Sequence, residues 1–326
     1  MNIVIIIPTG IGAKIGGHAG DANPVVKLFS PICDIVITHP NVVNASDINE
    51  MPENAWYVEG SILNRFLNGS IKLKQPLSNR ILLVVNEITN ELHNAVAAAR
   101  HTIGARIDIL KLDHPLIMIG KIDENGASGE VCGWEELVDQ VWGEKFDALA
   151  IASPIQVSKE VSLNYFRHGG INPWGGVEAK ASHFIADALL KPVAHAPTLD
   201  ADPELRNFNE VVDPRMAAEV LSSAFVHCVF KGLHKAPRIS DKGLAYKDVD
   251  CMITPHGCYG PPHKACHDAG IPVIVVKENT TCFNQSVPED FIFVENYLEA
   301  AGYVMAMKAG IDPISVRGRA LNNDRL

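Results

Sequence analysis

Short, nearly unbroken apolar runs alternate along this chain with stretches in which apolar residues recur every three or four positions. The runs at 3–7, 34–38, 81–85, 107–112, 148–152, 251–254 and 273–276 read as strands. Several are almost pure Ile, Val and Leu with no polar alternation, the pattern of parallel strands covered on both faces. Helical patterns lie between them at 91–103, 178–190, 214–232, 261–269 and 295–309. The second puts Phe184, Ile185, Ala188 and Leu189 on one stripe. The third spaces Met216, Val220, Phe225 and Val229 helically between Pro214 and Gly232, a proline-start and glycine-stop arrangement. This alternation predicts an α/β fold of mostly parallel sheet flanked by helices, Rossmann-like. Residues 123–129 are the candidate linker. They would divide the chain into lobes of 1–122 and 130–326 with a site between them; the other reading is a β-turn inside one continuous domain.

Composition narrows the class. Of 326 residues 47% are hydrophobic and 20% charged, which supplies a core and excludes a disordered chain. Lys+Arg 28 against Asp+Glu 38 gives a net charge of −10 without a basic run, so no nucleic-acid partner is expected. The first residues lack a basic region before their short apolar run, and no stretch approaches the roughly 20 apolar residues of a membrane span. A cytoplasmic chain with no membrane partner is expected. Seven cysteines, an odd number, then read as reduced thiols.

In open α/β sheets ligands bind beyond the carboxyl ends of strands. The residues at those ends here are polar or glycine: Thr9, Gly10, Gly12, His18 and Asp21 after the first strand, and His39, Asn41, Asn44 and Asp47 after the second. Asn86-Glu87 and Ser153-Pro154 follow later strands, and residues 255–260 and 277–282 follow the last two. This recurrence predicts a polar cleft. Gly10-x-Gly12-x-x-x-Gly16 invites a dinucleotide reading, but Gly16, Gly17 and Gly20 would break the helix that the fingerprint needs. Strand two also ends without an acid for a ribose. The plainer reading is a glycine loop folding over a ligand.

Cys258 sits between a strand end and a helix opening at Pro261-Pro262, where a helix dipole favours thiolate. His256 lies two residues away. Together with Glu278 as general base they form a candidate catalytic set; the alternative is a glycine-rich turn whose thiol merely packs. His256, Cys258, His263, Cys266 and His267 also invite a divalent metal, although structural zinc sites draw ligands from two separated knuckles. Asn279 and Thr281 follow Glu278 as candidate substrate ligands. Residues 167–178 place two glycine pairs around Asn172-Pro173-Trp174 before a helix. Such a turn can offer backbone N–H groups to an anion, with Trp174 as a wall, or simply start a helix on a packed Trp.

Taken together, Pro8–Gly12, His18–Asp21, the run from Thr38 to Asn54, Gly170–Ala179 and Glu278-Asn279-x-Thr281 resemble the "domain of unknown function 3326" family. The resemblance spans nearly the whole chain. It implies a soluble bacterial or plastid protein in which these motifs form one site, and it supplies no reaction. Three function classes stay open. The first is an enzyme acting on a polar, carboxylate-bearing metabolite by cysteine or acid–base chemistry, as isomerase, lyase or hydrolase. The second is an NAD(P)-dependent oxidoreductase, and the third a non-catalytic sensor of a small ligand. The apolar helix near the C-terminus can cover the sheet or a partner subunit, which leaves a homodimer open.

Overall fold

The computed structural model of the chain describes residues 1–18, 21–43, 51–198, 210–212, 214–217 and 225–316. Six strands form one parallel sheet: β1 (Asn2–Ile5), β2 (Ile35–Thr38), β3 (Ala55–Tyr57), β13 (Cys251–His256), β14 (Val273–Thr280) and β15 (Ile292–Val294). Their spatial order is β3-β2-β1-β13-β14-β15, the doubly wound order in which the chain reverses direction between β1 and its neighbour. A second parallel sheet holds β5 (Arg80–Val85), β6 (Arg106–Lys111), β9 (Ala148–Ser153) and β11 (Val193–Pro197) in the order β11-β9-β5-β6. The antiparallel hairpin β7 (Ile117–Asp123) and β8 (Gly126–Cys132) carries the short β10 (Ile155–Gln156) beside β7. A further small pair joins β4 (Leu73–Lys74) to β12 (Arg238–Ile239).

The unbroken apolar runs become strands because both faces are covered. On β1, Ile3 and Ile5, with Ile7 just beyond, cluster with Val26 and Phe29 of α1 (Asn23–Phe29) and Val304 of α9 (Tyr297–Lys308). Val4 and Ile6 turn the other way, onto Ile62, Leu63 and Phe66 of α2 (Gly60–Leu67). The same division holds on β5. Ile81, Leu83 and Val85 meet α3 (Asn90–Thr102), while Leu82 and Val84 meet α4 (Trp134–Val141). Each such side chain contributes about 1.5–3 kcal/mol through burial.

The long helix α6 (Gly175–Leu189) bridges the two sheets. It packs on α2 of the first, on β11 and α4 of the second, and on the β7–β8 hairpin. Among the described residues the remaining α-helices are α5 (Lys159–His168), α7 (Phe225–His234), which lies on β9 and β11, and α8 (Pro261–Asp268), which lies on α2 and β14.

Three sequence expectations change shape. Residues 123–129 close the β7–β8 hairpin instead of linking lobes, and the six-stranded sheet draws strands from both sides of them. Of the helix expected over 214–232, the described residues show a 3-10 turn at Pro214–Met216 and helix α7 at Phe225–His234; residues 218–224 lie outside the described ones. Strands β3 and β11, too short and too mixed to read from the sequence, form sheet edges.

Candidate functional site

A cleft of about 740 Å³ opens at the carboxyl ends of β1, β2, β3 and β13. Its far wall is α6, the end of β11 and the hairpin tip at Asn125, Ala127 and Ser128. Its floor is the place where chain direction switches between β1 and β13, where such sheets bind ligands. The volume falls within the range of ordinary small-molecule sites.

Glu59 caps the start of α2. Its Oε2 accepts from the N–H of Ser61 at 2.8 Å and of Ile62 at 3.1 Å, and from the Ser61 hydroxyl. The other oxygen, Oε1, lies 3.2 Å from Nε2 of His183 on α6. Glu59 is 5% exposed, and burial pushes its carboxyl above the usual range against the His183 charge and those hydrogen bonds. Gly60 is what lets His183 come so close: a Cβ there would stand 2.6 Å from Nε2.

A second carboxylate–histidine pair stands on the same wall. Glu178, one turn before Ser182 and His183 on the cleft face of α6, places Oε1 2.9 Å from His195 Nδ1. The His195 ring is wholly buried, and its Nε2 lies 3.1 Å from both Ser153 Oγ and the Ser153 carbonyl oxygen. Tyr57 faces the same cleft. Burial first, then the Glu178 and Cys228 charges, push its phenol up, so it is a neutral donor.

His39 follows β2. Its Nε2 accepts from the Ile7 N–H at 3.1 Å, which leaves the ring proton on Nδ1. Burial, and then the His183 charge, push His39 down to about 4. Asn41 donates to the carbonyls of Ile7 at 2.8 Å and Gly16 at 2.9 Å, pinning the glycine loop to the strand end. Asn172 accepts from Trp174 and Gly175 N–H and so opens α6. Thr9 packs against Gly175, and Gly10 and Gly12 hold the loop's left-handed turns.

With this geometry in hand, comparison gives the family. The family described as Protein of unknown function (DUF3326) matches residues 2–317. The chain belongs to that family. A relative in Synechococcus sp., named an uncharacterised lipoprotein, is 34% identical over 339 residues, covering 96% of this chain and 92% of that protein. No solved structure matches. Among the described residues no helix is long and apolar enough to cross a membrane.

In this DUF3326 member the cleft gathers Thr9, His39, Asn41, Asn172 and Cys258 from the residues singled out by sequence, with Gly10 and Gly12 in the adjoining loop. Asn44 and Asp47 lie outside the described residues. The others point elsewhere. His256 leans its ring on Phe293 and does not reach the cleft. Glu278 is exposed and accepts from the Tyr297 N–H, away from the cleft. Asn279 is fully buried and clamps the glycine loop: it accepts from Ile15 N–H and donates to Ile15 O and to the Tyr297 hydroxyl. Thr281 closes a turn with Phe283, and Trp174 packs between Tyr165 and Phe166.

His18 is buried on Tyr165, and Asp21 accepts from its N–H beneath the loop. Burial raises Asp21 from 3.8 to about 6. Between those values the folded chain binds more protons than the unfolded one, so stability falls as pH rises through that window. Asp21→Asn is expected to flatten that slope, as urea titrations from about pH 4 to about pH 7 would show. An unchanged slope would show that Asp21 does not set it.

The expected thiolate at Cys258 is corrected by burial. Its thiol donates to Pro255 O at 3.4 Å and is pushed up to about 11, because desolvation outweighs the helix end. The histidine near it is His263, not His256. Its Nε2 is 3.9 Å from the sulfur and 2.7 Å from Thr254 Oγ1. At neutral pH Cys258 is expected to alkylate far more slowly than exposed Cys132 and Cys282, which peptide mass spectrometry after iodoacetamide would show. The sequence cluster of possible metal ligands does not converge either. Cys266 donates to Met252 Sδ and His267 pairs with Asp290. Among the described residues no group of three or more His, Cys, Asp or Glu could hold a metal ion.

Glu59, His183, His195 and Tyr57 are not among the residues that the sequence singles out, and Glu178 falls in the Gly170–Ala179 motif without a role of its own. Two signals were present: His195 interrupts the apolar run Val193-Ala194-His195-Ala196, and Glu178, Ser182 and His183 share a helix face.

Proposed function

We propose that this chain is an enzyme that moves protons on a small, polar, carboxylate-bearing metabolite bound in this cleft. The observation that carries the reading is the presence of two carboxylate–histidine pairs on one cleft wall at the carboxyl ends of a doubly wound sheet. Glu59 is the proton carrier, because a carboxyl held up by burial changes its protonation closer to neutral pH. His183 exchanges that proton with solvent, being half exposed. Neutral His39 donates to a substrate carbonyl. Lys180 and the first turn of α6 supply positive potential for the carboxylate. Cysteine chemistry drops out of the proposal with the buried thiol; isomerase and lyase reactions fit the acid–base groups directly.

The test is C–H exchange. The protein is incubated in deuterium oxide with a panel of amino, hydroxy and keto acids, followed by proton NMR and thermal unfolding. Loss of a C–H signal for a stabilising acid supports the reading. Stabilisation without exchange replaces it with a sensor using the same cleft; neither effect with any acid ends it. The strand order favours a second reading, an NAD(P)-dependent oxidoreductase. Against it, residues 6–22 separate β1 from α1, and β2 ends in Thr38-His39-Pro40. Enhanced fluorescence of reduced nicotinamide cofactor on mixing would restore it.

A cytoplasmic place is part of the proposal, since no disulfide joins any of the seven cysteines. The relative's name, a lipoprotein, points instead to an anchored or extracytoplasmic place for that protein. Cell fractionation of the native chain decides between them.

A further inference from the structure

Almost every buried hydroxyl among the described residues has a hydrogen-bond partner inside the chain. Thr38 donates to Ile5 O at 2.9 Å, Ser162 donates to Ser158 O at 3.2 Å, and Tyr297 accepts from Asn279 at 2.7 Å. Ser61 meets Glu59, Ser153 meets His195, Thr254 meets His263, and Tyr165 meets His18. Tyr57 and Ser182 are the exceptions. They are 6% and 8% exposed, and both line the cleft. Among the described residues neither hydroxyl makes a hydrogen bond. A serine inside a helix ordinarily bonds back to the carbonyl four residues earlier, as Ser162 does on α5; Ser182 on α6 does not. Neither oxygen is sealed from solvent, so each opens onto the cleft and is left for what fills it.

The two hydroxyls stand beside the proton carrier. Glu59 lies two residues beyond Tyr57, and its partner His183 follows Ser182 on α6. The Glu178 charge reaches Tyr57, and Ser182 is one turn further along the helix. His39 adds a third donor. Thr38 stands opposite Tyr57 across β2 and β3, so His39 and Tyr57 leave adjacent strand ends. With Nε2 taken by the Ile7 N–H, the His39 Nδ1–H has no partner among the described residues. Positive charge, by contrast, is scarce. No arginine lines the cleft, and its one lysine, Lys180, donates to Gly129 O at 3.0 Å. His183 and His195 are each already paired with a glutamate, while burial holds His39 and His263 neutral. One ammonium can offset one ligand carboxylate. A phosphate dianion or a second carboxylate would face Glu59 and Glu178 without a cation of its own.

We infer that the Tyr57 and Ser182 hydroxyls are ligand-binding groups, and that the ligand is an unphosphorylated hydroxy or keto acid, a single carboxylate with neutral oxygen functions on the same short carbon chain. The inference rests on the proposed proton-moving function and narrows its substrate. A hydroxyl both gives and accepts a hydrogen bond, so these two suit a ligand hydroxyl or carbonyl equally. With Glu59 beside them, the exchangeable C–H lies on a carbon that carries or adjoins such an oxygen. Tyr57 and Ser182 are then specificity-determining residues. A site whose buried hydroxyls wait for an oxygen discriminates against an analogue that lacks it, because those hydroxyls then stay unpaired.

Matched probes test it. Glycerate, gluconate and pyruvate carry the expected oxygens, propanoate and hexanoate lack them, and phosphoglycerate and phosphogluconate add a dianion. Each is titrated by calorimetry into wild type, Tyr57→Phe and Ser182→Ala, with thermal unfolding of the free proteins alongside. At least one of the first three acids is expected to bind, and its deoxy and phosphorylated counterparts to bind at least about tenfold more weakly. Each variant is expected to weaken that acid by about 3–10-fold. Each is also expected to unfold no earlier than wild type when free. The oxygen removed bonds nothing in the chain, and the Tyr57 ring keeps its seat on Gly232 of α7. A merely structural hydroxyl gives the opposite result, earlier unfolding with unchanged affinity. The inference is overturned by no binding of the first three acids, by equal binding of a deoxy or phosphorylated counterpart, or by unchanged affinity in either variant. Binding without C–H exchange removes the proposed enzyme and leaves these hydroxyls as ligand groups. Exchange with unchanged affinity in either variant does the reverse, so the two failures are distinguishable.

Discussion

Glu59→Gln is expected to slow C–H exchange on the responding acid by about 10²–10⁴-fold while leaving the fold intact. The fold survives because glutamine keeps a carbonyl oxygen for the Ser61 and Ile62 N–H groups, the contacts that cap α2. Its amide can donate to His183 in place of the lost charge. The substitution removes the one thing glutamine cannot supply, a proton that comes and goes. Stability gives a second, opposite sign. Because burial raises the Glu59 carboxyl, the folded chain holds its proton longer than the unfolded chain does, and stability falls as pH rises from 4.5 through the raised value. The glutamine variant has no such slope, so it is expected to be at least as stable as wild type at neutral pH and less pH-dependent. Exchange rates from NMR and urea midpoints at two pH values check both. Retained exchange sinks the role of Glu59. Lost stability with an unchanged slope shows that Glu59 serves only as a cap.

Gly176→Ala is expected to be strongly destabilising. A Cβ at Gly176 would lie 2.1 Å from the Ala127 carbonyl oxygen and 2.2 Å from its carbon. Both are backbone atoms of β8, so neither can swing aside. Helix α6 must lift from the hairpin, at a cost near the upper end of overpacking, about 3 kcal/mol. The displaced residues are also functional, because Gly176, Ala127 and Ser128 line the cleft and Glu178 is the next residue but one. Denaturant unfolding is expected to show the loss, and C–H exchange measured well below the midpoint is expected to fall as well. Gly143→Ala is the control, since nothing stands within 4 Å of its Cβ. If the two alanine variants are equally stable, the tight seating of α6 on the hairpin is not what fixes the cleft.

Part of the site is legible in the sequence. Thr9, His39, Asn41 and Asn172 follow strand ends or precede a helix, and parallel strands buried on both faces must deliver such residues to one edge. That rule fails where a loop turns back. His18 and Asp21 fold under the glycine loop, Asn279 is used up holding that loop, and Asn86 is bonded at both ends to the Leu116 backbone. A polar residue after a strand does not announce whether it faces ligand or its own chain. Cys258 failed for a different reason: a helix start favours a thiolate only if water or charge is near, and burial took both away.

The layers follow from local pattern alone. Runs such as Ile3 to Ile7 and Ile81 to Val85 have no polar face to offer water, so they can only be central parallel strands, and the periodic segments between them can only cover those faces. Tertiary structure alone decided the chemistry. Glu178, Ser182 and His183 look like the solvated side of an amphipathic helix, and Glu59 looks like an ordinary cap. They become a site because α6 lies between two sheets and brings its polar face against the start of α2 and against β11, segments far apart in the chain. Local periodicity records which face of a helix is polar. What that face meets depends on contacts between distant segments, and those contacts set the burial and the partners from which carboxylates and histidines acquire their protons.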